Sequence, residues 1–148
     1  IVIEGEILAG VREKEGPFGE FTGYMARRST EHVFIAKAIL MRGRPWYQSI
    51  SSGRVPDHIL PLGVLREVEI RNALSRVIPN VKAVHVPTSG CAAFTAFVSI
   101  RQTRPGEAKH AIPVVLGVDH YLKFVVIVDD DVDVFNPAAL VRNSLAGW

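Results

Sequence analysis

The chain has 148 residues, 48% of them hydrophobic and 22% charged, with a formal net charge of +2. That is enough to bury one core of ordinary size unaided, and too little charge, with no basic stripe interleaved with aromatics, to argue for nucleic acid. A single cysteine excludes an internal disulfide and fits a reducing compartment, the cytoplasm by default; no apolar run approaches the roughly 18 residues of a bilayer span, and no basic-then-apolar leader opens the chain.

Ile1 to Leu8 alternates as a strand that should end before Gly10. In the Glu15-Gly16-Pro17-Phe18-Gly19-Glu20 stretch that follows, two glycines and a proline break regular structure and predict a specific bend. Arg27, Arg28, Ser29 and Thr30 then precede a second strand, His32 to Met41, and place a domain boundary between Tyr24 and His32. Arg42-Gly43-Arg44-Pro45 is a turn, after which Trp46 to Ile50 reads as a short strand ended by Ser51-Ser52-Gly53.

Apolar residues at Leu62, Leu65, Ile70, Ala73, Leu74, Val77 and Ile78 recur at near-helical spacing and predict a helix over 62–78, stopped by Pro79. Val81 to Val86 and Phe94 to Ile100 read as strands. Ala108 to Leu116 reads as a helix in which Pro113 implies a kink or an early break, and Phe124 to Val128 as a buried strand. Asn136 and Pro137 suit the N-cap and first position of a last helix. From Trp46 onward the order strand, helix, strand, strand, helix, strand is the split βαβ pattern, so the predicted class is α+β with a ferredoxin-like sandwich.

Glu15 and Glu20 flank a bend that can aim both carboxylates at one point. Two carboxylates held close cannot both ionise cheaply, so one would keep its proton and serve as a general acid. The same spacing is equally that of a solvated surface turn, the commoner case. Asp129, Asp130, Asp131 and Asp133 follow a predicted strand, where a hard cation such as Mg2+ has to be weighed against a run that leaves the sheet and meets water. Cys91 has no histidine assignable to it as a nucleophile and suits a small buried residue. The five histidines show no metal-ligand spacing, and Arg27-Arg28 and Arg42-x-Arg44 are short pairs at strand ends.

Ile3-Glu4-Gly5-Glu6 and the string from Glu15 through Glu20 to Tyr24 resemble the UbiD family of decarboxylases. In the same order as the family follow His85-Val-Pro-Thr-Ser-Gly90-Cys91, Val98-Ser-Ile-Arg101, Pro105-Gly-Glu-Ala-Lys109 and the string from Lys123 through Val128 to Asp133. The resemblance covers essentially the whole chain. It implies reversible, non-oxidative decarboxylation of an aromatic or α,β-unsaturated carboxylic acid on prenylated FMN, with Glu20 as the proton donor and Glu15 as its electrostatic partner beside an arginine. That arginine, the flavin-phosphate ligands and the Mn2+ and K+ that accompany the cofactor would lie in regions preceding Ile1.

By the same resemblance, residues 1–31 would be the tail of a flavin-binding β-barrel domain and residues 32–148 an incomplete carboxy-terminal α/β domain. A chain opening on Ile1 is then expected to be a piece of a larger enzyme, inactive alone, its partners being the remaining domains, a small carboxylic acid and further copies in a homo-oligomer. Lys123 is either a charge partner for the flavin phosphate or an ordinary strand-end lysine. The resemblance makes the aspartate run a structural signature, not the metal site, and sets Gly90-Cys91 near the substrate end of the pocket. An assembly domain without activity, or a stand-alone binding module, are the other readings; the second leaves the glutamate turn unexplained.

Overall fold

The computed structural model describes residues 1–146, in two compact units, residues 1–58 and residues 59 onward. In the first unit, β1 (Val2–Glu15) pairs antiparallel with β2 (Ser29–Leu40), from Val2 opposite Leu40 to Glu15 opposite Ser29. The register slips between Glu4 and Gly5 and again between Ile7 and Arg12. Gly5 must be glycine, because a Cβ there would stand 2.2 Å from the Ile35 carbonyl oxygen. Gly10 takes φ +72°, so the strand bulges at this glycine and continues, where the sequence predicts that it stops. The stretch between Tyr24 and His32 lies in this hairpin, in its connection and at the start of β2, and the compact units divide after His58.

No strand forms at Trp46 to Ile50, contrary to the sequence expectation. Trp46 is 92% exposed, and residues 41–55 carry no regular structure; a segment without a neighbouring strand has no ladder to join.

α1 (Pro56–Ser75), which lies in the second unit from Ile59 on, begins six residues before the predicted start, with proline at its first position, and passes through Pro61. It ends three residues early, where Val77 and Ile78 turn back to donate to the Leu74 carbonyl. β3 (Val81–His85) runs antiparallel to β4 (Thr95–Ile100), and β4 parallel to β5 (Phe124–Asp129), in the order β3-β4-β5. The crossover is α2 (Glu107–Val118), which carries Pro113 without breaking. A split βαβ sheet would need a strand between β4 and β5; because 46–50 is not one, the two are direct neighbours in a simple βαβ unit. β5 is therefore an edge strand and half-buried, with Phe124 exposed, where a buried strand is predicted.

Alternation along the strands builds two cores. Ala96, Val98 and Ile100 face one side and pack with Ile70 and Leu74 of α1 and Ala111 and Val115 of α2. Phe97, Ala83 and Val128 face the other, against Leu140 of α3 (Pro137–Ala146) and Val132 and Val134 of the segment before it. Asn136 caps α3 as predicted, its Oδ1 accepting from Ala138 N–H at 3.1 Å.

Candidate active site

Glu15 is the last residue of β1 and its side chain is exposed. Gly16 follows at φ +75°, then a cis bond to Pro17, and a bridge between Gly19 and Met25 closes the turn. Glu20 is pinned by its backbone: its N–H donates to Tyr24 at 2.8 Å and its carbonyl accepts from Gly23 at 2.9 Å. A Cβ on Gly19 would stand 3.3 Å from the Ser52 carbonyl oxygen, so this glycine admits the passing backbone of residues 51–53. Glu20 is half-buried, and among the described residues neither its carboxylate nor that of Glu15 is held by a protein group. Both glutamates lie on one connection of the first unit; Lys123 belongs to the second.

Lys123 precedes β5, donates its N–H to the Phe94 carbonyl at 2.9 Å, and rests its Nζ 4.4 Å from the centre of the Phe94 ring. Two of the aspartates beyond β5, Asp130 and Asp133, are engaged locally. Arg101 Nε donates to Asp130 at 2.7 Å and holds that carboxyl below its usual range, Lys82 Nζ donates to the Asp130 carbonyl, and Asp133 accepts from Phe135 N–H. Among the described residues no three His, Cys, Asp or Glu side chains gather as a metal ion would need.

The string from His85 to Phe94 forms a tight loop around a single 3-10 turn, Thr88–Gly90. Gly90 has no room for a side chain, since a Cβ would stand 2.8 Å from Thr95. Cys91 and Ala92 both adopt positive φ, 56° and 51°, which costs a non-glycine residue of order 1–2 kcal/mol. Cys91 is buried, as its size suggests. α1 lies against the loop at Gly63, where a Cβ would meet Ala92 Cβ at 3.1 Å.

Three charged residues in this region have no mark in the sequence. Arg66 Nε donates to Asp119 Oδ2 at 2.5 Å, and its Nη1 donates to the carbonyl of Ala92 at 3.2 Å. Burial pushes the Asp119 carboxyl up, but the Tyr121 N–H and the Arg66 guanidinium outweigh it and leave the group below its ordinary value. Glu67 Oε1 accepts from His85 Nδ1 and from Val86 N–H, each at 2.9 Å. In sequence these are only isolated charged residues; Arg66 and Asp119 stand 53 positions apart, and Glu67 and His85 stand 18 apart. Beside the loop, Ser89, Phe97, Phe124, Val126 and Leu140 border an apolar cavity of about 290 Å³.

Two family models match the chain: the 3-octaprenyl-4-hydroxybenzoate carboxy-lyase Rift-related domain over residues 1–55, and the C-terminal domain of the same carboxy-lyase over residues 60–146. The chain is similar to an evolved dimeric form of the UbiD-class enzyme HmfF from Pelotomaculum thermopropionicum in complex with prFMN. The TM-score is 0.90 at 34% identity, over 97% of this chain and 34% of that one. It is also similar to the apo 3,4-dihydroxybenzoic acid decarboxylase of Enterobacter cloacae, at TM-score 0.86 and 28% identity over 97% and 32% of the two chains. Vanillic acid decarboxylase of Sedimentibacter hydroxybenzoicus in its open form gives TM-score 0.85 and 27% identity over 97% and 31%. The chain thus spans about a third of the length of these structures.

Proposed function

The chain belongs to the 3-octaprenyl-4-hydroxybenzoate carboxy-lyase (UbiD) family, and from that membership we propose that it is the proton-donating part of a reversible decarboxylase acting on an aromatic or α,β-unsaturated carboxylic acid. The cofactor in this proposal is prenylated FMN, which supplies the electron sink for loss of CO2. The observation that carries the reading is the Glu20 turn, which fixes the backbone on both sides of a half-buried residue whose carboxylate no protein group takes up among the described residues. A carboxyl group so placed can serve as the donor of the proton that replaces CO2. Glu15, at the end of the adjoining strand, would be its electrostatic partner, itself steadied by an arginine outside this sequence.

This chain's donors suit only a share of the cofactor. Lys123 presents an exposed ammonium that rests on an aromatic face and is paired with no carboxylate among the described residues, which suits a phosphate as a point charge. Mn2+ and K+ would be held by residues outside this sequence. The β1–β2 ribbon exposes Ile3, Ile7, Phe34 and Ile39, which favours its being the end of a larger flavin-binding barrel. No described helix is long and apolar enough to cross a membrane; cytoplasmic location and homo-oligomeric assembly belong to the proposal.

Glu20→Gln in the complete enzyme tests it. An amide cannot deliver the proton, so turnover should fall by roughly a hundredfold or more, while flavin absorbance of the purified enzyme stays at the parent level. Decarboxylation at the parent rate would remove Glu20 from the role.

A further inference from the structure

Arg66 is engaged on three sides at once. Its Nε meets Asp119, its Nη1 reaches the carbonyls of Ala92 at 3.2 Å and Leu62 at 3.4 Å, and its guanidinium lies 5.7 Å from the centre of the Tyr121 ring. The Arg66 and Asp119 side chains keep only 15% and 12% of their exposure. A buried ion pair is a poor source of stability, because desolvation offsets most of the attraction. Its place here is better explained by what it holds.

That is the carbonyl of Ala92, the second of two successive non-glycine residues at positive φ. Such a backbone persists only where its surroundings over-determine it. α1 supplies that constraint from one face, with Gly63 packed against Ala92 and Arg66 one turn further on. Asp119 is fixed in turn, its second oxygen accepting from Tyr121 N–H at 2.8 Å. The exposed tip of the same loop carries Ser89, which borders the apolar cavity together with Phe97, Phe124 and Val126.

We infer that Arg66 and Asp119 are positioning residues: they latch the 87–93 loop and so set where the Ser89 edge of the cavity stands, and with it the fit of the apolar end of the substrate. Neither touches the reacting atoms. The inference rests on the decarboxylase reading for its kinetic consequence, though not for the latch itself.

The test uses the complete enzyme and three variants, Asp119→Asn, Arg66→Lys and the double variant Arg66→Met with Asp119→Leu. One readout needs no turnover: the rate at which a thiol reagent modifies Cys91, followed by mass spectrometry of its peptide. The other is kcat and KM for an aromatic acid. With Ala92 released, Cys91 should be modified about tenfold faster and KM should rise about tenfold with kcat within about twofold, as lost uniform binding requires. Arg66→Lys should fall between, since a single ammonium nitrogen does not span Asp119 and Ala92 as the Nε and Nη1 of one guanidinium do.

The double variant separates latch from scaffold. An apolar pair of similar volume should return the melting temperature to the parent value, yet leave Cys91 labelling fast and KM high. Labelling and KM that return with the melting temperature would make the pair merely structural and overturn the inference. So would an Asp119→Asn enzyme with parent labelling, or with faster labelling and an unchanged KM. If the complete enzyme releases no CO2 from any acid, the decarboxylase reading fails while the labelling arm still decides the latch.

Discussion

Glu15 and Glu20 are the same side chain at two ends of one bend, yet their surroundings differ: Glu15 ends a strand in solvent, Glu20 is half-buried between two backbone hydrogen bonds. Spacing puts both on the same turn but is silent on which is the more enclosed. Asp119 makes the opposite case, a residue without any motif whose partners settle its charge. Because its folded value lies below the ordinary 3.8, its stabilising contribution is fully present above that pH and is lost as pH falls through the folded value. Asp119→Asn, which leaves Arg66 buried without a counter-charge, should lower unfolding free energy by about 3 kcal/mol at neutral pH. Denaturation of parent and variant across about pH 6 to 3 should show the gap narrowing only below pH 3.8. A gap that stays constant over the whole range would mean that the carboxylate's charge is not what stabilises the fold.

At the scale of elements, local chemistry was the better guide at ends than in interiors. Asn136-Pro137 announced α3, and the cap is made, Oδ1 accepting from Ala138 and at 3.4 Å from Ala139. Asn136→Ala should therefore cost about 1 kcal/mol, and Asn136→Gly only a few tenths, read from chemical denaturation; equal losses for both would point to something other than the cap. Gly10 misled in the other direction, since a glycine inside a strand pattern stands equally for a stop and for a bulge, and only the register across to β2 distinguishes them. Trp46 to Ile50 reads as a short strand and is none, because a strand is defined by a neighbour that the local sequence does not contain.

At the scale of the molecule, the second unit owns two cores, one on each face of its sheet, whereas the first is a two-stranded ribbon with apolar residues exposed along it. A ribbon of that kind is marginal by itself in water. The 148-residue chain alone is therefore expected to self-associate as its concentration rises, measurable by sedimentation, and to neither bind prenylated FMN tightly nor release CO2. Micromolar flavin binding with measurable decarboxylation would show that the chain is a complete small enzyme.

The amino-acid sequence by itself determined the family, through strings such as Glu15 to Tyr24 and Lys123 to Asp133, and most of the elements of the second unit, because turn chemistry and hydrophobic period are local. Tertiary structure alone decided that β4 and β5 are neighbours, that the compact units part after His58, and that Arg66, Asp119 and Ala92 meet. The reason is the same in each case. Which strand lies beside which, and which buried charge finds which partner, depends on surfaces brought together from distant parts of the chain, 53 residues apart for Arg66 and Asp119, and no window of sequence contains both sides of such a contact.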